Sequence, residues 1–322
     1  MENFRTDLAV ERRDIYRKAN KLENEIEGME TEEEQISEEV KVTRVKITSE
    51  KGEEAIGKPK GSYITIDVRN LKIATEEEIE QAAEVLAKEL KILIDSHAQN
   101  KEDILVVGLG NIYVTPDALG PKVVNEIDIT RHLIEYLPQY VDESTRPVSA
   151  ISPGVLGTTG IETLEILKGI VDNIHPKLLI VIDSLASRSI ERISSTIQLA
   201  DTGIIPGAGV GNKRKELTKE TLGVPVLAIG VPTVVEAATI AADSLDMFIK
   251  QAKVELEKEE KQTQGYEKLY EVLNNLTEEN RYEMIKEALI PGEYNFIVTP
   301  KEIDELIENM AGVVARGINK AV

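Results

Sequence analysis

LLIVID, residues 178–183, is five apolar residues followed by a carboxylate. The run lacks the polar alternation of a half-exposed strand, so both its faces must be covered. Working outward, ILVVGLGN (104–111), PVSAI (147–151) and VPVLAIG (224–230) are short apolar segments of the same kind. Stretches with helical period lie between and after them, at 118–136, 161–173 and 233–250. A further helix over 75–94 opens on Thr75-Glu76-Glu77-Glu78, the spacing of a capping box. Buried strands alternating with helices predict an α/β fold: a three-layer core whose mostly parallel sheet is covered by helices on both faces.

Around this core the pattern changes. VKVTRVKITSE (40–50) and SYITIDVRNLKI (62–73) alternate with period two and predict an N-terminal β-ribbon, its turn at 57–61 containing Pro59. Residues 8–40 read as a charged arm, and the acidic runs 23–39 and 255–260 as solvated helix faces or loops. The core with its peripheral ribbon spans 41–250, and 251–322 holds a charged linker (251–280) and C-terminal helices at 278–289 and 300–319. Pro300 suits the first turn of the last helix.

Composition narrows the function classes. In 322 residues there are 38 Lys and Arg against 58 Asp and Glu, a net charge of -20, which opposes nucleic-acid binding. Aromatic residues are 4% and Trp is absent, so no platform exists for stacked bases. No apolar run spans a bilayer, and the opening MENFRTDLAVERRD has no signal-peptide core, so no membrane role is expected. Without cysteine, disulfides and thiolate chemistry are ruled out, and a reducing cytoplasm is the expected setting. The three histidines, His97, His132 and His175, fall in or beside helices away from the expected site, and no metal is expected.

In a parallel sheet the strand C-termini share one edge, and ligands bind in the crevice there. The segments delivered to that edge are GLGN with TPDALG (115–120), SPGVLGTTG (152–160), Asp183 with SLASR, and GVPT. Asp117 and Asp183 are the carboxylates among them. Each has a plain alternative as a helix cap or a loop acceptor. Brought together, two carboxyls share a proton, and one can act as base toward water while the other polarises or protonates the group under attack. That is amide hydrolysis without a metal or a nucleophilic side chain. GLGN is not a dinucleotide fingerprint, because Tyr113 stands where GxGxxG needs glycine. No serine lies in GxSxG.

VVGLGNIYVTPDALGPKVV, RPVSAISPGVLGTTGIET, IDSLASRSIERISSTIQLADTGIIPGAGVGNKRKE and LGVPVLAIGVPTVV closely resemble the germination protease family of spore-forming bacteria. The resemblance runs over essentially the whole chain, and the core in turn looks like the hydrogenase maturation endopeptidases. It implies an atypical aspartic endopeptidase, without cofactor, that degrades small acid-soluble spore proteins at germination. The catalytic pair then falls on Asp117 and Asp183. It implies a zymogen that removes its own propeptide, residues 1–7, by cutting between Asp7 and Leu8 within Arg5-Thr6-Asp7-Leu8-Ala9-Val10-Glu11. It also implies a homotetramer in the cytoplasm of the forespore and spore core. Substrates acidic around the cut suggest Arg188, Lys213, Arg214 and Lys215 as readers of carboxylate, with a solvated basic turn as the plain alternative. The rivals are a non-catalytic α/β protein binding a small ligand or metal, and a metal-dependent maturation peptidase. The second lacks a His in 201–220 or 231–236 to hold its metal.

Overall fold

The computed structural model describes residues 6–69, 74–99, 101–207, 214–258, 271–273, 275–289 and 296–322. The N-terminal part runs α1 (Ala9–Ala19), β1 (Met29–Gln35), β2 (Val40–Ile47), α2 (Glu50–Ile56), β3 (Gly61–Val68) and α3 (Glu76–His97). The central part runs β4 (Ile104–Gly108), α4 (Leu119–Asn125), α5 (Arg131–Tyr136), β5 (Val148–Ile151), α6 (Leu156–Thr159), α7 (Thr163–Ile174) and β6 (Leu178–Ser187). It ends with β7 (Thr196–Ala200), α8 (Lys219–Leu222), β8 (Val226–Glu236), α9 (Ala237–Lys258), α10 (Glu278–Leu289), β9 (Ile297–Val298) and α11 (Ile303–Ala321).

One sheet carries all the strands, in the order β1-β2-β3-β7-β8-β6-β4-β5, with β9 pairing β8. The α/β class and the helix-covered sheet agree with the sequence. The parallel ladder, however, is confined to β5-β4-β6-β8. The other pairings are antiparallel. Strand β7, absent from the sequence expectation, makes the difference. It lies antiparallel between β3 and β8, so the ribbon expected at the periphery continues the main sheet. Its alternation is short: Ile197 and Leu199 join the core while Gln198 faces the other way.

Alternation also sorts the core. Leu178, Ile180 and Ile182 pack with α3, α4 and α11 through Leu86, Leu90, Leu119, Met310 and Val314. Leu179 and Val181 pack on the opposite face against Leu167 and Val171 of α7 and Leu222 of α8. The two-sided burial read from LLIVID is thus filled by helices on both sides. Thr75 and Glu78 form the capping box that opens α3.

Three expectations change. Residues 29–35, inside the acidic run expected to be a helix face or loop, form edge strand β1 instead. Its acids face cross-strand cations, Glu33 with Lys41 at 2.6 Å and Glu34 with Arg44 at 2.8 Å. The single helix expected over 118–136 is two, α4 and α5. Between them Thr130 is hooked to β5, its N–H donating to Val148 O at 3.1 Å and its hydroxyl accepting from Val148 N–H at 2.8 Å. Finally, β6 and β8 run on past Asp183 and Gly230 to Ser187 and Glu236, where loops and, from Thr233, the start of a helix were expected. No helix among the described residues is long and apolar enough to cross a membrane.

Candidate active site

Asp117 is delivered by the turn after β4. That strand ends against α4 so closely that a Cβ at Gly108 would strike the Gly120 carbonyl, and one at Gly120 the Leu109 backbone. Gly110 takes φ +113, a left-handed conformation that leaves its α-carbon against the Asp117 carbonyl. The resulting 3-10 turn at Thr115–Asp117 holds the carboxylate where Asn111 N–H donates to Oδ2 at 2.9 Å. Asp117 does not cap α4, whose N-cap is Ala118 without a side-chain bond. Burial pushes the Asp117 carboxyl above its ordinary range, and the Asn111 N–H and the nearby Arg214 charge pull it back.

Asp183 is not at a strand end. It lies within β6, opposite Gly230 of β8, with 5% of its surface exposed. Its Oδ1 accepts from the Ser184 N–H at 3.0 Å. Burial drives its carboxyl well above the ordinary range, the charges of Asp117 and then Asp7 push the same way, and the Ser184 and Gly207 N–H groups oppose them. Both aspartates line one cavity of about 180 Å³, with Leu109, Gly110, Asn111, Glu162 and Gly207 on its walls. The sequence pair is therefore brought to one place, and neither member is used as a cap.

A second cavity of about 170 Å³ adjoins it, with Asp183 on the wall of both. It lies on the sheet face of Asp183, Leu185, Gln198, Ala200, Ala228 and Gly230. The N-terminal segment is laid along this face. Asp7 N–H donates to Ala186 O at 3.0 Å, and Asp7 Oδ2 accepts from Ala186 N–H at 2.9 Å. Leu8 is extended and fully buried, clustered with Val10 and Leu185. The Thr6 hydroxyl bonds Glu11, whose carboxylate also accepts from Arg188 N–H at 2.8 Å and Ser189 N–H at 3.1 Å.

The expected basic residues separate. Arg214 and Lys215 line the cavity of the two aspartates, near Glu162 at 3.9 Å and Glu165 at 3.1 Å respectively. The Arg188 guanidinium instead pairs with Asp243 on α9 at 2.6 Å. Lys213 lies outside the described residues. Among the described residues no group of three or more His, Cys, Asp or Glu could hold a metal. Sequence reasoning missed Gln198, Tyr63 and Lys58 on the second cavity. The Lys58 ammonium stands 5.8 Å from the Tyr63 ring centre, and burial lowers its pKa to about 8. The available signal for Gln198 was a polar residue at the centre of the apolar run in TIQLA.

The sequence profile of the germination protease family matches residues 7–267 and 260–322. The chain belongs to the germination protease family. The germination protease of Caldanaerobacter subterraneus subsp. tengcongensis is 52% identical over 99% of this chain and 94% of its own length. That of Clostridium acetobutylicum is 46% identical over 100% of this chain and 96% of its own. That of Priestia megaterium is 45% identical over 99% and 94%. Among solved structures, a NiFe hydrogenase maturation protease from Thermococcus kodakarensis is similar at 19% identity and a TM-score of 0.28, covering 45% of this chain and 80% of that one. Membership makes this chain a peptidase of spore germination, acting on protein substrates.

Proposed function

We propose that the protein is an aspartic-type endopeptidase, using Asp117 and Asp183 without a metal, that degrades small acid-soluble spore proteins after cutting its own chain between Asp7 and Leu8. The observation that carries this reading is the shared cavity of the two aspartates, where burial and the Asp117 charge both favour a protonated Asp183. The asymmetry assigns roles. Asp117, with an N–H donor and Arg214 nearby, is the carboxylate and base. Asp183 is the acid.

Hydrolysis then balances with one water. Its oxygen bonds to the Asp7 carbonyl carbon while one of its protons passes to the Asp117 carboxylate. The Asp183 proton goes to the Leu8 nitrogen as the carbon–nitrogen bond breaks. A carboxyl terminus at Asp7 and an amine at Leu8 result, and the proton on Asp117 returns to Asp183 for the next turnover. Support for the cut site comes from Asp7, which shares a cavity wall with Asp183 and is bonded to Ala186, and from Leu8, whose backbone is extended. Of the basic residues, Arg214 and Lys215 are best placed to read acidic substrate side chains, with Lys213 beside them in sequence. Arg188 serves by holding α9 through Asp243. The setting in the forespore and spore core and the assembly as a homotetramer rest on the family alone.

The test is degradation of a small acid-soluble spore protein by the purified enzyme. Asp117→Asn and Asp183→Asn are each expected to lower kcat by at least about 1,000-fold, the scale on which loss of general acid–base help and charge stabilisation combine. Activity near wild type in either variant would remove the pair from the mechanism.

A further inference from the structure

We infer that Gln198 is a catalytic residue of this site, its side-chain amide bridging the chain from Asp7 to Ala9 and donating to the carbonyl that is attacked. This rests on the reading of Asp7 and Leu8 as a substrate segment. Gln198 Nε2 donates to the Asp7 carbonyl at 3.3 Å, and Gln198 Oε1 accepts from the Ala9 N–H at 2.7 Å. The two bonds lie on either side of Leu8, one on the carbonyl of the linkage to be cut and one on the N–H of the next linkage. Only an oxygen can accept from Ala9 N–H, so the amide must turn its NH2 toward the Asp7 oxygen.

The sheet places this amide opposite the acid. Gln198 pairs across from Gly230, and Gly230 pairs across from Asp183, so the three stand in one row over β7, β8 and β6. Residues directly opposite share a face. Gln198 and Asp183 therefore rise from the same face at two strand spacings, about 10 Å between α-carbons, with a residue lacking a side chain between them. Leu185 packs over Gly230, and the chain beside this row is extended at Leu8 and fixed by its backbone at Ala186. Gln198 is 7% exposed, so its N–H works where water does not compete.

As water adds to the Asp7 carbonyl, negative charge grows on the oxygen that faces Nε2. A fixed donor there stabilises the tetrahedral state more than the flat carbonyl. Asp183 is thereby left free to protonate the departing nitrogen. Because both contacts are to main chain, the same clamp fits any extended substrate whose side chains suit the flanking cavities. Gln198 accordingly acts on rate rather than on choice of sequence.

The experiment follows loss of residues 1–7 from the full-length chain by intact mass, in wild type, Gln198→Leu and Gln198→Glu, with thermal midpoints recorded for each. Gln198→Leu is expected to slow the cut about 100-fold, the cost of one lost oxyanion donor. Gln198→Glu keeps the shape, and at neutral pH it should be slowed as much. Its deficit relative to wild type should shrink as pH falls, because a protonated Glu regains an O–H donor while its other oxygen still accepts from Ala9. On a peptide spanning the sequence of residues 4–11, the loss should appear in kcat with KM little changed. Cutting at the wild-type rate in both variants, or a loss confined to KM, overturns the role of Gln198. If Gln198→Leu does not fold, the pH-dependent recovery of Gln198→Glu decides, and its absence is contrary. A wild-type chain that is not cut before Leu8 instead overturns the cleavage reading, and this inference with it.

Discussion

Asp183 pays for its place on β6 with a carboxyl that resists ionising, since burial, Asp117 and Asp7 all disfavour its charge. The folded protein therefore holds this proton more tightly than the unfolded chain, whose Asp titrates near 3.8. Stability from this group is complete below that value and is lost as pH rises toward the raised folded value. Asp183→Asn removes the loss. In denaturant titrations the variant should match wild type near pH 3.8 and exceed it by a margin that grows toward neutrality. Each unit by which the carboxyl is raised contributes about 1.4 kcal/mol to that margin. A margin that shrinks with rising pH would mean that Asp183 is ionised in the folded chain. The residue itself was visible in the sequence as the acid closing an apolar run. Its burial was not, because it depends on β8 running on to Glu236 and on Asp7 folding back beside it.

Elements fix the second carboxyl. The approach of β4 to α4 across Gly108 and Gly120 seats the turn that carries Asp117, and backbone atoms rather than flexible side chains fill the space. Gly120→Ala must push α4 away from Leu109. It is expected to cost about 2 kcal/mol by overpacking and to lower kcat, since small displacements of a catalytic group are expensive. Gly169→Ala on α7, where a Cβ meets nothing within 4 Å, is the control and should be stabilising by about 0.5–1 kcal/mol. Equal denaturation midpoints and equal rates for wild type and Gly120→Ala would show that the β4–α4 contact does not position the site. GLGN and TPDALG were legible as segments delivered to the strand edge, whereas the contact their glycines make between β4 and α4 needed both segments in place. The break between α4 and α5 was not, because it is made by Thr130 bonding to β5, a partner distant in sequence. Strand β7 escaped for a related reason: its five residues, with a polar one at the centre, find their meaning only between β3 and β8.

Across the molecule, one sheet links two kinds of surface. Its parallel half, packed between α3, α4 and α11 on one face and α7 and α8 on the other, supplies the rigid support for both aspartates. Residues 6–9 lie where this half meets the antiparallel one, bonded to Ala186 of β6 and Gln198 of β7. The first half was readable from apolar runs alone, and the second needed pairings that alternation does not specify. Family membership spans both halves. In this account the N-terminal segment is the enzyme's first substrate, held in place before it is cut. Incubating the purified full-length chain and sequencing the new N-terminus tests this. The expected result is a chain beginning at Leu8 from wild type and none from Asp117→Asn or Asp183→Asn. A Leu8 terminus appearing equally in the aspartate variants, or a wild-type chain cut elsewhere, would contradict it.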